Sequence, residues 1–371
     1  METFYTIKEL AETLKLSVST IRRMIKSGEL EAIRVGAQHQ VRVPEAAVQR
    51  LCAPTETRAV PAVERPIPAT LVQATDVAAV ELQAVSTIQG ITNQNLRWAV
   101  LNADVNVALA TIPDSTINCV VTSPPYYWQR DYEVQGQIGH EATIEAYVSA
   151  IVEVFRNIKK KLRADGTVFL NLGDTYYSAK GKPHGADDKH SGRQMMRKHL
   201  RAVDGPGLGL PRKSLIGIPW RVALAMQQDG WTLRSAVIWK RPATQPEPTA
   251  HDRPWRTHEN IFIFSKGPRY WFNRDALKGE EDIWEIIARP ENPGSHFAPY
   301  PRELVDRCID CGCAPGGVVL DPFVGSGTTM MGALSHGCHA VGIDLKPEYA
   351  TFSAKRIRKS FPDLTDFEEP A

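Results

Sequence analysis

Two short segments, nearly two hundred residues apart, carry the side chains best suited to chemistry. The first, Ser123-Pro124-Pro125-Tyr126, directly follows the apolar run 117–121. Two prolines after a strand end the sheet and remove two backbone donors, so carbonyl oxygens are expected to face the cleft beyond it. Ser123 adds a hydroxyl and Tyr126 a flat π face. Acceptors beside an aromatic platform suit an exocyclic amino group on an extruded nucleobase. The second segment is Asp321-Pro322-Phe323-Val324-Gly325-Ser326-Gly327-Thr328-Thr329. An apolar strand runs into a Gly-x-Gly turn and then a helix, 328–335, an arrangement that lets a ligand approach backbone at a strand's carboxyl end. A second strand, 340–343, ends in Asp344, nineteen residues after Gly325, where an acidic residue can bind ribose hydroxyls. A dinucleotide would call for a third glycine at position 330, where Met330 stands. S-adenosylmethionine is the alternative, with a ribose and no pyrophosphate.

The elements that must position these segments begin near Leu96, where apolar strands alternate with helical stretches as in an α/β sheet protein. The 371 residues are 43% hydrophobic and 23% charged, with a formal net charge of +2. That composition excludes wholesale disorder and fibrous repeats, and bulk charge does not announce a nucleic-acid binder. No apolar run approaches the roughly 20 residues of a membrane span. The opening METFYTIKEL lacks a basic-then-apolar leader, and six scattered cysteines do not form a disulfide framework. A soluble, cytoplasmic protein without membrane partners is expected.

Residues 1–51 read as a separate amphipathic unit. Ile7, Leu10, Ala11 and Leu14 recur at helical spacing. Ser17 can cap a helix 19–27, with Val18, Ile21 and Ile25 inward and Arg22, Arg23 and Lys26 outward. Residues 31–36 and 40–43 read as a hairpin wing, and Pro44 opens a short helix. "YTIKELAETLKLSVSTIRRMIKSGELEAIRVG" and "RVPEAAVQRL" resemble the winged helix-turn-helix of excisionase and MerR-type domains. The resemblance implies a recognition helix with Ser19, Thr20, Arg22, Arg23 and Lys26 on DNA. With eight basic and six acidic residues, this unit alone should bind weakly. Residues 52–95, with eight Ala and four Pro, read as a linker, with a helix near 71–85.

Over 96–371 the chain resembles the amino-methylating DNA methyltransferases. Ser123-Pro-Pro-Tyr126 looks like their catalytic motif and 321–329 like their cofactor motif. Catalytic motif first and cofactor motif last is the circularly permuted order of the β-class. The resemblance implies a Rossmann-like mixed sheet flanked by helices, S-adenosyl-L-methionine as cofactor and double-stranded DNA as substrate. On the cofactor it places Asp321, Phe323, Gly325, Ser326, Gly327, Thr328 and Asp344. It adds Asp104, from the acidic Asn102-Ala103-Asp104 segment, and Phe297 and Pro299 of "HFAPYPRELV". "FLNLGDTY" (169–176) matches the strand and turn that follow the catalytic motif. No metal is implied. No Pro-Cys dipeptide is present, so no covalent cytosine-C5 chemistry is expected. Serine at the first motif position points to N4 of cytosine before N6 of adenine.

Residues 178–213 hold nine Lys/Arg against three Asp and read as a basic insertion that grips phosphates, through Lys180, Lys182, Arg193, Arg197 and Lys198. Trp128 and Arg130 are expected to fill the space left by the extruded base, and the loop 240–258 is a further candidate. The family's usual target-recognition gap is short here, about 273–295. Cys308, Cys311 and Cys313 read as a helix end rather than a zinc site. A ligand-sensing transcription regulator and an RNA or protein methyltransferase are the rival readings; the first has no use for Ser-Pro-Pro-Tyr, and the DNA-type N-terminal unit argues against the second. No nuclease motif is evident, so a stand-alone enzyme of bacterial or phage origin, associated with the nucleoid, is expected. Dimers are common in the β-class, but no apolar segment can be assigned to an interface.

Overall fold

The structure is a computed structural model that describes residues 4–14, 18, 21, 24–25, 30–35, 40–52, 85–179, 201–242, 247, 250–277, 279, 281–288 and 300–362. The chain divides into two compact units, Met1–Ile67 and Pro68–Ala371.

The smaller unit holds β1 (Phe4–Tyr5), α1 (Ile7–Thr13), β2 (Ile33–Val35), β3 (Gln40–Pro44) and α2 (Glu45–Cys52). Its strands pair antiparallel in the order β1-β3-β2. Thr6 and Glu9 close a capping box on α1: Thr6 Oγ1 accepts from Glu9 N (3.1 Å) and Glu9 Oε2 from Thr6 N (2.8 Å). Leu10, Ala11, Ile21, Leu30, Val43 and Ala47 form the core. Val18, expected beside Ile21, is instead 37% exposed, while Ile21 is fully buried in this small core. Ser19, Thr20, Arg22, Arg23 and Lys26 lie outside the described residues, as do 53–84 of the expected linker.

The larger unit is one nine-stranded mixed sheet in the order β10-β8-β9-β7-β6-β11-β12-β5-β4. The strands are β4 (Ser86–Ile91), β5 (Arg97–Asn102), β6 (Ile117–Thr122), β7 (Leu162–Leu172), β8 (Thr232–Lys240), β9 (His258–Ser265), β10 (Ile283–Glu285), β11 (Val318–Asp321) and β12 (His339–Asp344). The five from β7 to β5 run parallel, while β9 and β4 run against their neighbours. Residues 86–91, read from sequence as tether, are therefore the edge strand β4. Its half-polar, half-exposed run Ser-Thr-Ile-Gln-Gly-Ile carries little of the apolar signal that marks an inner strand.

Side chains alternate across the sheet. Val120, Leu320, Val341 and Leu101 join one core; Cys119, Val319, Ala340 and Val100 join the other. The first is covered by α3 (Val105–Thr111), α4 (Ile144–Lys161) and α5 (Ile218–Gln228). The second is covered by α6 (Arg302–Gly312), α7 (Thr328–Ser335) and α8 (Pro347–Ser360). Cys308 and Cys311 are buried in α6 and Cys313 caps it. Among the described residues no His/Cys/Asp/Glu cluster could hold a metal ion, and no helix is long and apolar enough to cross a membrane. Part of the expected recognition gap is absorbed by the fold: β10 pairs with β8, and Ile286 O accepts from buried Trp239 Nε1.

Gly312 sits where α6 meets β7. A Cβ there would lie 2.1 Å from the Phe169 ring and 2.7 Å from Thr167 Oγ1, the hydroxyl that donates to Gly312 O. Gly312→Ala should cost about 1–3 kcal/mol, the usual penalty of an overpacked core. A lower urea midpoint with unchanged slope is the expected result.

Candidate active site

All five parallel strands end on the same edge of the sheet, and the chain's direction of travel reverses between β6 and β11. Such a reversal leaves a crevice beyond the strands' carboxyl ends. Here it is a cavity of about 470 Å³, within the roughly 300–1,000 Å³ of small-molecule sites. Ser123, Pro124, Pro125 and Tyr126, after β6, line it together with Asp321, which ends β11, and Phe323, Gly325, Ser326 and Thr328, which follow it; Asp104 follows β5 and Asp344 ends β12. The two segments separated in sequence thus share one pocket. Strand order also fixes its sides: Asp104 and Asp344 stand at one flank, and Asn171, Glu259 and Trp239, from β7, β9 and β8, stand at the other.

Asp321 joins the two segments. Its buried carboxylate accepts from Thr122 Oγ1 (2.7 Å), Phe323 N (3.1 Å), Thr329 Oγ1 (2.6 Å) and Tyr300 Oη (3.0 Å). Burial pushes its pKa up against these donors. Asp344 ties the glycine loop to β12, accepting from Gly325 N through one oxygen and Lys346 N through the other, each at 2.9 Å. Gly327 opens α7 with φ +81°. It is not in the cavity wall: a Cβ there would meet Ser353 at 2.9 Å, so its smallness serves packing against α8. Asp104 caps α3, accepting from Asn106 N and Val107 N.

On the opposite flank a chain of hydrogen bonds leads inward from Ser123. Ser123 Oγ donates to Tyr126 Oη (3.0 Å), which donates to Glu259 Oε2 (2.7 Å). Asn171 Nδ2 donates to both Tyr126 Oη (2.9 Å) and Glu259 Oε2 (3.0 Å). Arg241 pairs with the other carboxylate oxygen at 2.8 Å. Burial, and secondarily the Glu259 charge, hold the Tyr126 pKa well above the usual phenol value. Asn171 Oδ1 is buried with no hydrogen-bond partner. Gly173 makes room for the tyrosine, since a Cβ there would lie 2.5 Å from its ring.

Several expected placements change. The Pro125 carbonyl does not open into the cleft; it accepts from Tyr147 Oη (2.9 Å). Trp128 does not line the cavity: its ring stacks on His140 with centroids 4.4 Å apart, and its Nε1 donates to Glu141 O. Arg130 is exposed at the cavity rim. Phe297, Pro299, Lys180, Lys182, Arg193, Arg197 and Lys198 lie outside the described residues. The end of the basic insertion is anchored rather than loose, with Val203 buried and Arg201 paired with Asp204. The sequence did not single out Glu259, Tyr132, Lys346 and Tyr349 in the wall, and it offered Arg241 only as part of the candidate loop 240–258. A glutamate at the mouth of the apolar strand Ile261–Phe264 and an asparagine inside Val-Phe-Leu-Asn-Leu were the available signals; the two tyrosines and the lysine gave none.

The model of the family described as "DNA methylase" matches residues 117–356, well over half of the chain. The chain belongs to this family. Residues 4–52 match the family described as "Helix-turn-helix domain". The type II methyltransferase M.SmaI of Serratia marcescens is 41% identical over 275 residues, 71% of this chain and 92% of that protein. M.XycI of Xanthomonas campestris pv. cyanopsidis is 39% identical over 264 residues, 69% of this chain and 86% of that protein. Among solved structures, PvuII DNA methyltransferase (cytosine-N4-specific) superposes with a TM-score of 0.55 at 21% identity, over 72% of this chain and 90% of that one; this likeness is one of fold.

The DNA methyltransferase draws its methyl group from S-adenosyl-L-methionine, and the donor set of the Asp344 flank fits that molecule. Each Asp344 oxygen accepts one backbone N–H and keeps a lone pair for a ribose hydroxyl. Gly325 stands open, with only Phe323 O, at 3.9 Å, near a Cβ position. Val105, Tyr132, Phe323 and Tyr349 line the cavity with apolar and aromatic surface, which would suit a purine. Burial raises the Asp344 pKa to about 6. Hydroxyl donors favour the ionised carboxylate, so cofactor affinity should be full well above pH 6 and fall as pH drops through it. For stability of the free protein the sign is opposite: the native state holds the extra proton between about pH 4 and 6, so this group's contribution declines as pH rises through that window. Calorimetric titration across pH 5–8 checks the binding trend, and Asp344→Asn should flatten it.

Proposed function

We propose that this methyltransferase modifies N4 of cytosine in double-stranded DNA, with the base turned out of the helix into the Tyr126 flank of the cavity. The observation that carries the site assignment is the shared pocket of Ser123-Pro-Pro-Tyr126 and the 321–329 loop. Serine at the motif's first position favours cytosine; N6 of adenine would use the same residues.

The target amino group is a poor nucleophile because its lone pair is delocalised into the ring. Ser123 Oγ spends its proton on Tyr126 and so offers lone pairs outward. With Pro124 O it accepts the amino N–H groups, which localises the nitrogen lone pair. The Tyr126 ring, fixed by Gly173 behind it and by its hydroxyl partners, stacks on the base. When bound, S-adenosyl-L-methionine supplies an electrophilic sulfonium methyl. The chain's own contribution is placement of the amino group, the kind of effect that a misplacement of 1 Å reduces by about a hundredfold.

The relatives' names as type II methyltransferases support a role as the modification member of a restriction–modification pair. The helix-turn-helix match supports a second DNA contact outside the catalytic unit. We assign the enzyme to the cytoplasm of a bacterial host, on nucleoid DNA, with any nuclease on a separate chain. A homodimer is the proposed assembly, with Trp220 and Leu224, one helical turn apart on α5 and 47% and 50% exposed, as apolar surface to cover.

Expression in a host without DNA methylation, followed by mass spectrometry of nucleosides, is expected to yield N4-methylcytosine. Tyr126→Ala should lower the transfer rate by about a hundredfold or more while cofactor affinity stays within a few-fold. N6-methyladenine as the sole product would overturn the base, and wild-type rates in Tyr126→Ala would overturn the site.

A further inference from the structure

Glu259 lies outside both motifs, at the start of β9, yet its carboxylate lines the cavity and ends the hydrogen-bond chain that begins at Ser123. An ionised carboxylate only accepts hydrogen bonds, and this one is paired with the Arg241 guanidinium at 2.8 Å. Arg241 in turn lies over the buried Trp239 ring, 5.8 Å from its centroid. Tyr126 Oη, 2.7 Å from Glu259 Oε2, must therefore donate to it. Having spent its only proton, that phenol oxygen can only accept from Ser123 Oγ and Asn171 Nδ2. Ser123 Oγ is then left with lone pairs alone toward the open cavity. Were the chain reversed, Ser123 would present its proton to the base and meet an amino N–H head-on.

We propose that Glu259 is a positioning residue that fixes the direction of the hydrogen-bond chain Ser123–Tyr126–Glu259, making Ser123 an obligate acceptor for the target amino group. The assignment rests on the reading of Ser123 as that acceptor. It also gives Asn171 a definite orientation: both Nδ2 bonds run to Tyr126 and Glu259, which turns Oδ1 away from them. Glutamine at position 259 keeps size and reach but can donate as well as accept, so it permits the reversed chain. Its effect should fall on the transfer step and not on cofactor binding, because Asp344 and the glycine loop stand at the other flank.

The test is a double-mutant cycle on single-turnover methylation with S-adenosyl-L-methionine and a duplex carrying the site mapped for the wild-type enzyme. Glu259→Gln is expected to slow transfer about tenfold or more, with KM for DNA and Kd for cofactor within about twofold. Tyr126→Phe keeps the ring and cuts the chain, so it should slow transfer similarly. The double variant should be no slower than Tyr126→Phe, because Glu259 reaches Ser123 only through the phenol. Equal, multiplicative losses in both backgrounds, or an unaffected rate in Glu259→Gln, overturn the proposal. If Glu259→Gln does not fold, Tyr126→Phe decides: a wild-type rate there overturns it. Ser123→Ala separates the two readings. An active Ser123→Ala enzyme removes the underlying assignment, whereas an inactive one beside a fully active Glu259→Gln removes only the role of Glu259.

Discussion

The site depends on one hydrogen bond between two side chains 199 residues apart, Thr122 Oγ1 to Asp321 Oδ1 at 2.7 Å. Thr122 is the last residue of β6 and Asp321 the last of β11, and these strands are paired neighbours. Sheet pairing alone would align the strands; the buried carboxylate also fixes the turns at their carboxyl ends. Besides Thr122 it takes the backbone N–H of Phe323 and the hydroxyls of Thr329 and Tyr300. A buried carboxylate is tolerated only when its lone pairs are satisfied, so moving any one segment leaves the group short of donors. The Ser-Pro-Pro-Tyr turn, the glycine loop and Tyr300 are thereby held as one unit.

The donors to Asp321 are short hydroxyls and a backbone N–H, and this choice bears on the cavity. A lysine or arginine would satisfy the carboxylate equally well but would occupy space where the loop must face a ligand. Threonine places its oxygen within the strand and helix ends themselves. The cations in the wall belong to the flanks instead: Arg241 to Glu259, and Lys346 to the Tyr132 carbonyl and the Tyr349 ring. Between the flanks Asp321 takes its hydrogen bonds from the hydroxyls of Thr122, Thr329 and Tyr300 and the backbone N–H of Phe323.

The parallel core was legible because its strands are buried on both faces and read as continuous apolar runs. Runs 117–121, 318–320 and 340–343 gave β6, β11 and β12 within a residue or two, and their spacing to Ser123, Gly325 and Asp344 carried the pocket with them. What escaped had a different physical cause in each case. β4 is an edge strand with a polar outer face and lacks that signal. Trp128 looked available because it follows the motif directly, but a backbone turn at φ +52° sends its ring onto His140. Glu259 and Arg241 come from β9 and the loop after β8; no local pattern reveals that an antiparallel insertion brings them beside Tyr126. Asp104 shows a milder ambiguity, since the carboxylate that lines the cavity also caps α3.

The four motif residues do not constitute the site by themselves. The Pro125 carbonyl is held by Tyr147 of α4, the Tyr126 ring occupies the space left by Gly173 after β7, and its hydroxyl is held from β7 and β9. The supports come from α4, β7 and β9, and between them they hold a carbonyl, a ring and a hydroxyl. Removing one leaves the turn's sequence intact but frees a torsion that the transferred group's position depends on. A motif of this kind therefore reports a fold more reliably than it reports activity. The same four residues on a surface loop would keep their chemistry and lose the geometry that makes Ser123 an acceptor rather than a donor.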